Sequence, residues 1–202
     1  MNKIFRMKFS SSSDYWEKRY AANGNSGTGS SGNLAIYKAG VINNFIAENN
    51  IQSVIEFGCG DGHQLKLLKI PGYTGLDVSA TALKRCGELF KEDCTKKFLL
   101  YDSSVSTLQA EVSLSIDVIY HLLEDDVYGK YMQDLFSSAK KFVVIYSWNE
   151  EVPKFGHLRY RKFTTWIDEH IQNWRLQRII KNDQPIPACD FFIYEPVLSF
   201  AD

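Results

Sequence analysis

Residues 54–62 read Val-Ile-Glu-Phe-Gly-Cys-Gly-Asp-Gly, an apolar run that stops in three alternating glycines. That shape describes a buried strand feeding a tight turn. Without a Cβ, Gly58, Gly60 and Gly62 accept positive φ and leave room for a ligand to lie against the backbone. An acid, Asp77, closes the next apolar run, Tyr73-Thr-Gly-Leu-Asp77. It stands roughly 20 residues on, where a ribose-binding carboxylate belongs. The chemistry implied is recognition of a nucleoside-containing cofactor.

The spacing narrows which one. Dinucleotide-binding turns use G-x-G-x-x-G, with pyrophosphate on the following helix N-terminus. Here the glycines alternate and Glu56 precedes them by two residues. A carboxylate there repels pyrophosphate but suits a cationic α-amino group. S-adenosylmethionine carries that amino group and a ribose diol, and has no phosphate. The stretch VIEFGCGDG, followed by GLDVS, resembles the first two motifs of the class I S-adenosylmethionine (SAM)-dependent methyltransferases.

The elements that must position these residues follow from periodicity. Leu34, Tyr37, Val41 and Phe45 mark an apolar helical stripe. Strands are expected at 53–57, 73–76, 97–101, 114–120 and 142–146, with helices near 64–69 and 80–90. A helix marked by Val127, Tyr131, Leu135 and Ala139 precedes the fifth strand, and Thr165–Asp168 reads as a capping box opening another. Two last strands, 175–181 and 191–197, joined through Asn182–Pro187, look like an antiparallel ending. Alternating strands and helices imply a parallel sheet covered on both faces. The resemblance adds the particular form: a Rossmann-like α/β fold with seven strands in order 3-2-1-4-5-7-6, strand 7 antiparallel.

Ahead of this domain, taken as residues 34–202, residues 1–33 differ in character. Tyr15, Trp16 and Tyr20 fall at helical spacing, and residues 23–33 are almost wholly Gly, Ser, Asn and Thr. A flexible linker is one reading. The other is a lid that seals a reactive cofactor from water.

By the resemblance, Glu56 and the turn Gly58, Cys59, Gly60 and Gly62 hold the methionine part of SAM, and Asp77 takes the ribose hydroxyls. Val78 packs on the adenine, and Asp102 with Ser103 forms the third motif, near the adenine amino group. Trp16, Tyr20 and Tyr120 complete the expected cofactor set, and S-adenosylhomocysteine (SAH) is the expected product. Asp102 also reads as a plain turn residue, Asp117 as a structural acid in a strand, and Cys59 as a small side chain tolerated in a tight space.

Two further stretches, YWEKRY with the glycine-rich run after it and GHLRYRKFT at 156–164, resemble small bacterial methyltransferases of surface-polysaccharide (capsule or O-antigen) synthesis. This implies O-methylation of a sugar hydroxyl on a sugar or sugar-nucleotide acceptor. His121, after the fourth strand, is the expected base, with His157 as its competitor. Period-2 alternation places His157, Arg159 and Arg161 on one face of an extended segment, with Tyr160 between them. These form a binding face for an anionic acceptor, or else a solvated edge. Glu124-Asp125-Asp126 is explained by a helix first turn, and no metal is expected. An amine or natural-product methyltransferase, and a catalytically silent SAM-binding partner protein, are the alternatives.

Composition sets the outer limits. The 202 residues, 45% of them hydrophobic, suffice for one well-buried domain. A formal net charge of −1 provides no field to hold a polyanion, so nucleic acid is not expected as a partner. Cys59, Cys86, Cys94 and Cys189 lack C-x-x-C spacing, which fits a reducing cytoplasm. No signal-peptide-like or membrane-spanning run is present in the sequence.

Overall fold

The first strand, β1 (Ser53–Phe57), is buried on both faces, as a strand flanked by neighbours and covered by helices must be. The computed structural model describes residues 10–102, 107–184 and 189–197. In it β1 lies between β2 (Gly72–Asp77) and β4 (Ala110–Ile116), parallel to both, with Glu56 opposite Gly75 on one side and Leu114 on the other. β3 (Lys96–Leu100) extends the sheet beyond β2, and β5 (Ala139–Ser147) beyond β4. β9 (Asp190–Pro196) runs antiparallel between β5 and the edge strand β8 (Trp174–Ile180). The order β3-β2-β1-β4-β5-β9-β8 is the one expected. Its last two numbers rise only because a small hairpin, β6 (Val152–Phe155) and β7 (Leu158–Tyr160), precedes them in the chain.

Helices α2 (Gly32–Glu48) and α3 (Ala80–Leu89) belong to one face, α4 (Asp125–Ser137) and α5 (Phe163–His170) to the other. Neighbouring strand residues split between two cores. Val54, Val112, Leu114 and Tyr146 join the α2 side, while Ile55, Phe57, Val143 and Ile145 join the α4 side. On α2 the fully buried stripe is Ala35, Lys38, Ala39, Ile42, Phe45 and Ile46, offset from Leu34, Tyr37 and Val41, which are partly buried. A lysine therefore sits where a hydrophobic side chain is the norm.

Several local expectations shift. The segment 64–69 forms only a short 3-10 turn, Gln64–Leu67, because Pro71 bars helical geometry just before it. β4 starts four residues earlier than expected and stops at Ile116, since Asp117 adopts φ 61°. Tyr120 and His121 consequently sit on a 3-10 turn, Ile119–His121, rather than at the end of the strand. Ala139 opens β5 instead of closing α4. Thr165 lies inside α5 and caps nothing. That role passes to Asn149, whose side chain accepts the Thr164 N–H at 3.1 Å. The segment expected to be extended at 157–161 supplies β7, which pairs back on β6 as a hairpin around Gly156 at φ 61°. The connection 185–188 and Ser103 lie outside the described residues. Among the described residues no helix is long and apolar enough to cross a membrane.

Candidate active site

Where the strand order reverses, between β1 and β4, the carboxyl ends of β1, β2 and β4 open into a cavity of about 150 Å³. Its floor is the glycine turn. Gly58 and Gly60 have φ of 80° and 59°, and a Cβ on Gly60 would meet the Tyr20 hydroxyl at 2.9 Å. Gly62 also has positive φ but faces α3, where a Cβ would meet Cys86 and Phe90. It shapes the turn rather than the cavity wall.

Two buried carboxyl groups border the cavity. Asp77 accepts the Gly60 N–H at 2.8 Å and the Ser79 N–H at 2.9 Å, which ties the end of β2 to the turn after β1. Burial pushes its pKa up to about 6 against those N–H bonds. Glu56 accepts the Tyr73 hydroxyl at 2.5 Å, and burial pushes its pKa up to about 7, opposed by Tyr73 and by the charge of Lys38. An acid held near neutrality by desolvation takes up its full charge when a cation arrives beside it.

The roof is the helix α1 (Ser12–Ala21). Trp16 and the fully buried Tyr20 line the cavity from above. Tyr20 Oη and Ser26 Oγ lie 2.9 Å apart, and Ser26 Oγ donates to Asp61 Oδ1 at 2.8 Å. The Glu17 carboxylate receives the Ser79 hydroxyl at 2.6 Å and the Thr81 hydroxyl at 2.5 Å, adding an anion at the N-terminus of α3. Arg85 of α3 reaches back to the carbonyls of Tyr20 and Gly24. At its other end, Ser12 donates to Glu124 at 2.6 Å and to the His121 carbonyl at 2.9 Å. Glu124 and Glu17 thus hold the two ends of the roof.

A third wall was hidden from sequence reasoning. Buried Lys38 forms an ion pair with Asp117 at 2.6 Å, and the Tyr120 hydroxyl donates to the same acid at 2.8 Å. Lys38 and Asp117 both line the cavity. Gln64 lines it too, and its Oε1 is buried with no partner among the described residues. The legible signal was a lysine in an otherwise apolar helical stripe, matched by an acid in an apolar strand.

Of the residues singled out by sequence, Trp16, Tyr20, Glu56, Gly58, Cys59, Gly60, Asp77, Val78 and His121 share this one cavity. Tyr120 stands behind it on Asp117, and exposed Asp102 is not part of the wall. His121 has its pKa lowered to about 4, chiefly by burial. His157 is not on the wall but stacks on His121, with ring centroids 5.3 Å apart. The expected face of His157, Arg159 and Arg161 does not point to the cavity. Arg159 binds the Leu123 carbonyl and Asp125, both at 2.9 Å, and Arg161 binds the Leu122 carbonyl at 2.7 Å and Asp125 at 3.0 Å. Tyr160 packs on Tyr120 and Trp148. The arginines are spent on unpaired carbonyls of the 119–123 turn, which a sequence pattern does not reveal. Among the described residues no group of three or more His, Cys, Asp or Glu is placed to hold a metal ion.

No protein-family model matches the chain, and no curated protein matches it. Solved structures do. Magnesium protoporphyrin IX methyltransferase (ChlM) from Synechocystis PCC 6803, with bound SAH, superposes with a TM-score of 0.67 at 13% identity, over 91% of this chain and 97% of that one. The methyltransferase domain of bacterial CtHen1 does so at 0.63 and 21% identity, over 81% and 99%. The N-methyltransferase NodS from Bradyrhizobium japonicum WM9 does so at 0.61 and 13% identity, over 80% and 93%. These likenesses define the class of fold: the chain has the Rossmann-like architecture of class I SAM-dependent methyltransferases.

Proposed function

We propose that this protein is a SAM-dependent methyltransferase that releases SAH. The observation that carries the reading is the placing of Glu56 and Asp77, both buried, on one cavity above a glycine cradle that a Cβ would fill. Asp77 matches a ribose diol, and Glu56 matches the α-amino group. Solved relatives in fold hold SAM and SAH, which supports the same cofactor here. The bound cofactor supplies an electrophilic methyl group on a sulfonium.

The chain's own residues bind, orient and exclude water. Helix α1 closes over the cavity, and we take residues 1–33 as a lid on the domain 34–202. His121 is the proposed proton acceptor for the attacking oxygen. Burial lowers its pKa to about 4, so the ring is neutral at pH 7 and offers a lone pair, at the cost of basicity. A sugar hydroxyl in a surface-polysaccharide precursor is the acceptor we favour, on the strength of the sequence resemblance at 15–35 and 156–164. Because Arg159 and Arg161 are engaged with Asp125, that acceptor is not held by an arginine clamp. Four free thiols support a reducing, cytoplasmic setting.

Calorimetry tests the cofactor. SAH is expected to bind, and Asp77→Ala to weaken it by about 10- to 100-fold through loss of a charge-assisted pair. Binding of NADH in place of SAH refutes the reading. For catalysis, His121→Ala is expected to lower turnover on the order of 10²- to 10⁴-fold with SAH affinity nearly unchanged. Near-normal turnover removes His121 from this role. A panel of sugar nucleotides against amines, read by SAH release, decides the acceptor class.

A further inference from the structure

Rings from three separate elements meet at His121. Its imidazole stacks on that of His157, with planes 4° apart and centroids at 5.3 Å. Tyr15 of α1 stacks in turn on His157 at 4.6 Å and 16°. Trp16, also on α1, sets its edge against His121 at 4.9 Å. The column is fastened at both sides. Arg159 and Arg161 tie the hairpin end to the carbonyls of Leu122 and Leu123, and Ser12 ties α1 to the His121 carbonyl. One further contact gives the ring a direction: His121 Nδ1 lies 3.4 Å from the backbone carbonyl of His157. A carbonyl oxygen only accepts, so this contact requires the proton on Nδ1 and leaves the lone pair on Nε2.

We propose that Tyr15 and His157 are positioning residues, whose column holds His121 as the Nδ1–H tautomer only when helix α1 and the hairpin β6–β7 are both seated. The proposal rests on the role given above to His121 and states what prepares it. The same logic operates wherever a second group fixes which nitrogen of an imidazole is free. Groups facing His121 come from each element. Arg19 acts on it from α1, His157 from the hairpin, and Asp117 and Tyr120 from its own side. Burial favours the neutral ring, with Arg19 and His157 adding to it, while the His157 carbonyl and Asp117 pull the other way. Lifting either covering element admits water to the ring and frees the tautomer.

The experiment is nitrogen-15 NMR of the histidine side chains in the full chain, with the His121 signals identified by their loss in His121→Gln. Wild type is expected to show Nδ1–H at His121 and no titration down to about pH 5. Tyr15→Leu and His157→Leu are each expected to mix the tautomers and raise the titration midpoint by about one pH unit. His157→Phe, which keeps the stack that His157→Leu removes, is expected to stay like wild type. An Nε2–H tautomer in wild type overturns the proposal, and for that reading only the assignment variant His121→Gln has to fold. Leucine variants that titrate as wild type does overturn it as well. A dispensable His121 in turnover assays bears on its role as proton acceptor instead, because the tautomer is read without catalysis.

Discussion

At the residue scale, the site is governed by charges taken out of water. Glu56 keeps its proton up to about pH 7 in the folded chain, against 4.5 for the free group, and Asp77 up to about 6 against 3.8. Between those limits the folded state binds more protons than the unfolded one. Their contribution to stability is therefore complete below about pH 4 and lost as pH rises to 7. His121 runs the opposite way between about 4 and 6.5, where the unfolded chain takes the extra proton. Thermal melts of the ligand-free protein from pH 5 to 8 are expected to fall less steeply in Glu56→Gln than in wild type. SAH affinity is expected to drop about fivefold from pH 7 to 6, as the carboxylate that meets the amino group is protonated. Calorimetry giving a flat profile refutes ionised Glu56 as that partner. Lys38 and Asp117 make a sharper case. Lys38→Met leaves the half-buried Asp117 without its cation, an expected loss of about 1–3 kcal/mol in denaturant unfolding. Lys38→Met with Asp117→Asn is expected to regain most of it.

At the element scale, helix α1 is held by partners at both ends rather than by its own hydrophobic face. Glu17 meets Ser79 and Thr81 at the head of α3, and Ser12 meets Glu124 at the head of α4. Glu17→Ala is expected to cost no more than about 1 kcal/mol of stability, the worth of one anion at a helix N-terminus. If the helix is a lid, the same change weakens SAH binding severalfold and raises the exchange rate of the α1 amides. Unchanged SAH affinity beside faster exchange shows that α1 covers the cavity without contributing to binding. The hairpin β6–β7 follows the same design. Its register leaves Arg159 and Arg161 over the 119–123 turn, so a motif that looks like an acceptor clamp works as a brace.

For the whole molecule, the seven-stranded sheet owes nothing to α1. No strand pairs with it, and both cores are built from α2 onward. Deleting residues 1–31 is expected to leave a cooperative melt and a normal far-ultraviolet spectrum while methyl transfer falls below detection. Full turnover by the truncated chain shows that the segment is only a linker. The strands themselves were legible because each announces itself locally, by an apolar run bounded by glycine, proline or a charged turn, whereas their order in the sheet came from the family resemblance. Boundaries were less legible. β4 stops at Ile116 because the next residue, Asp117, turns left-handed, and its carboxylate meets Lys38, 79 positions away.

What the sequence determined by itself is the part that rests on short-range physics. Alternating glycines allow only a tight, open turn after β1, Asp77 must close β2, and the alternation of periods requires a layered α/β sheet. Tertiary structure alone decided which polar groups share a space. It brought Lys38 to Asp117, Glu17 to α3 and Tyr15 to His157, and it turned Arg159 and Arg161 away from the cavity. The reason is that backbone conformation is settled within a few residues of the chain. The partner of a buried charge or ring is chosen only when distant elements pack and desolvate it together.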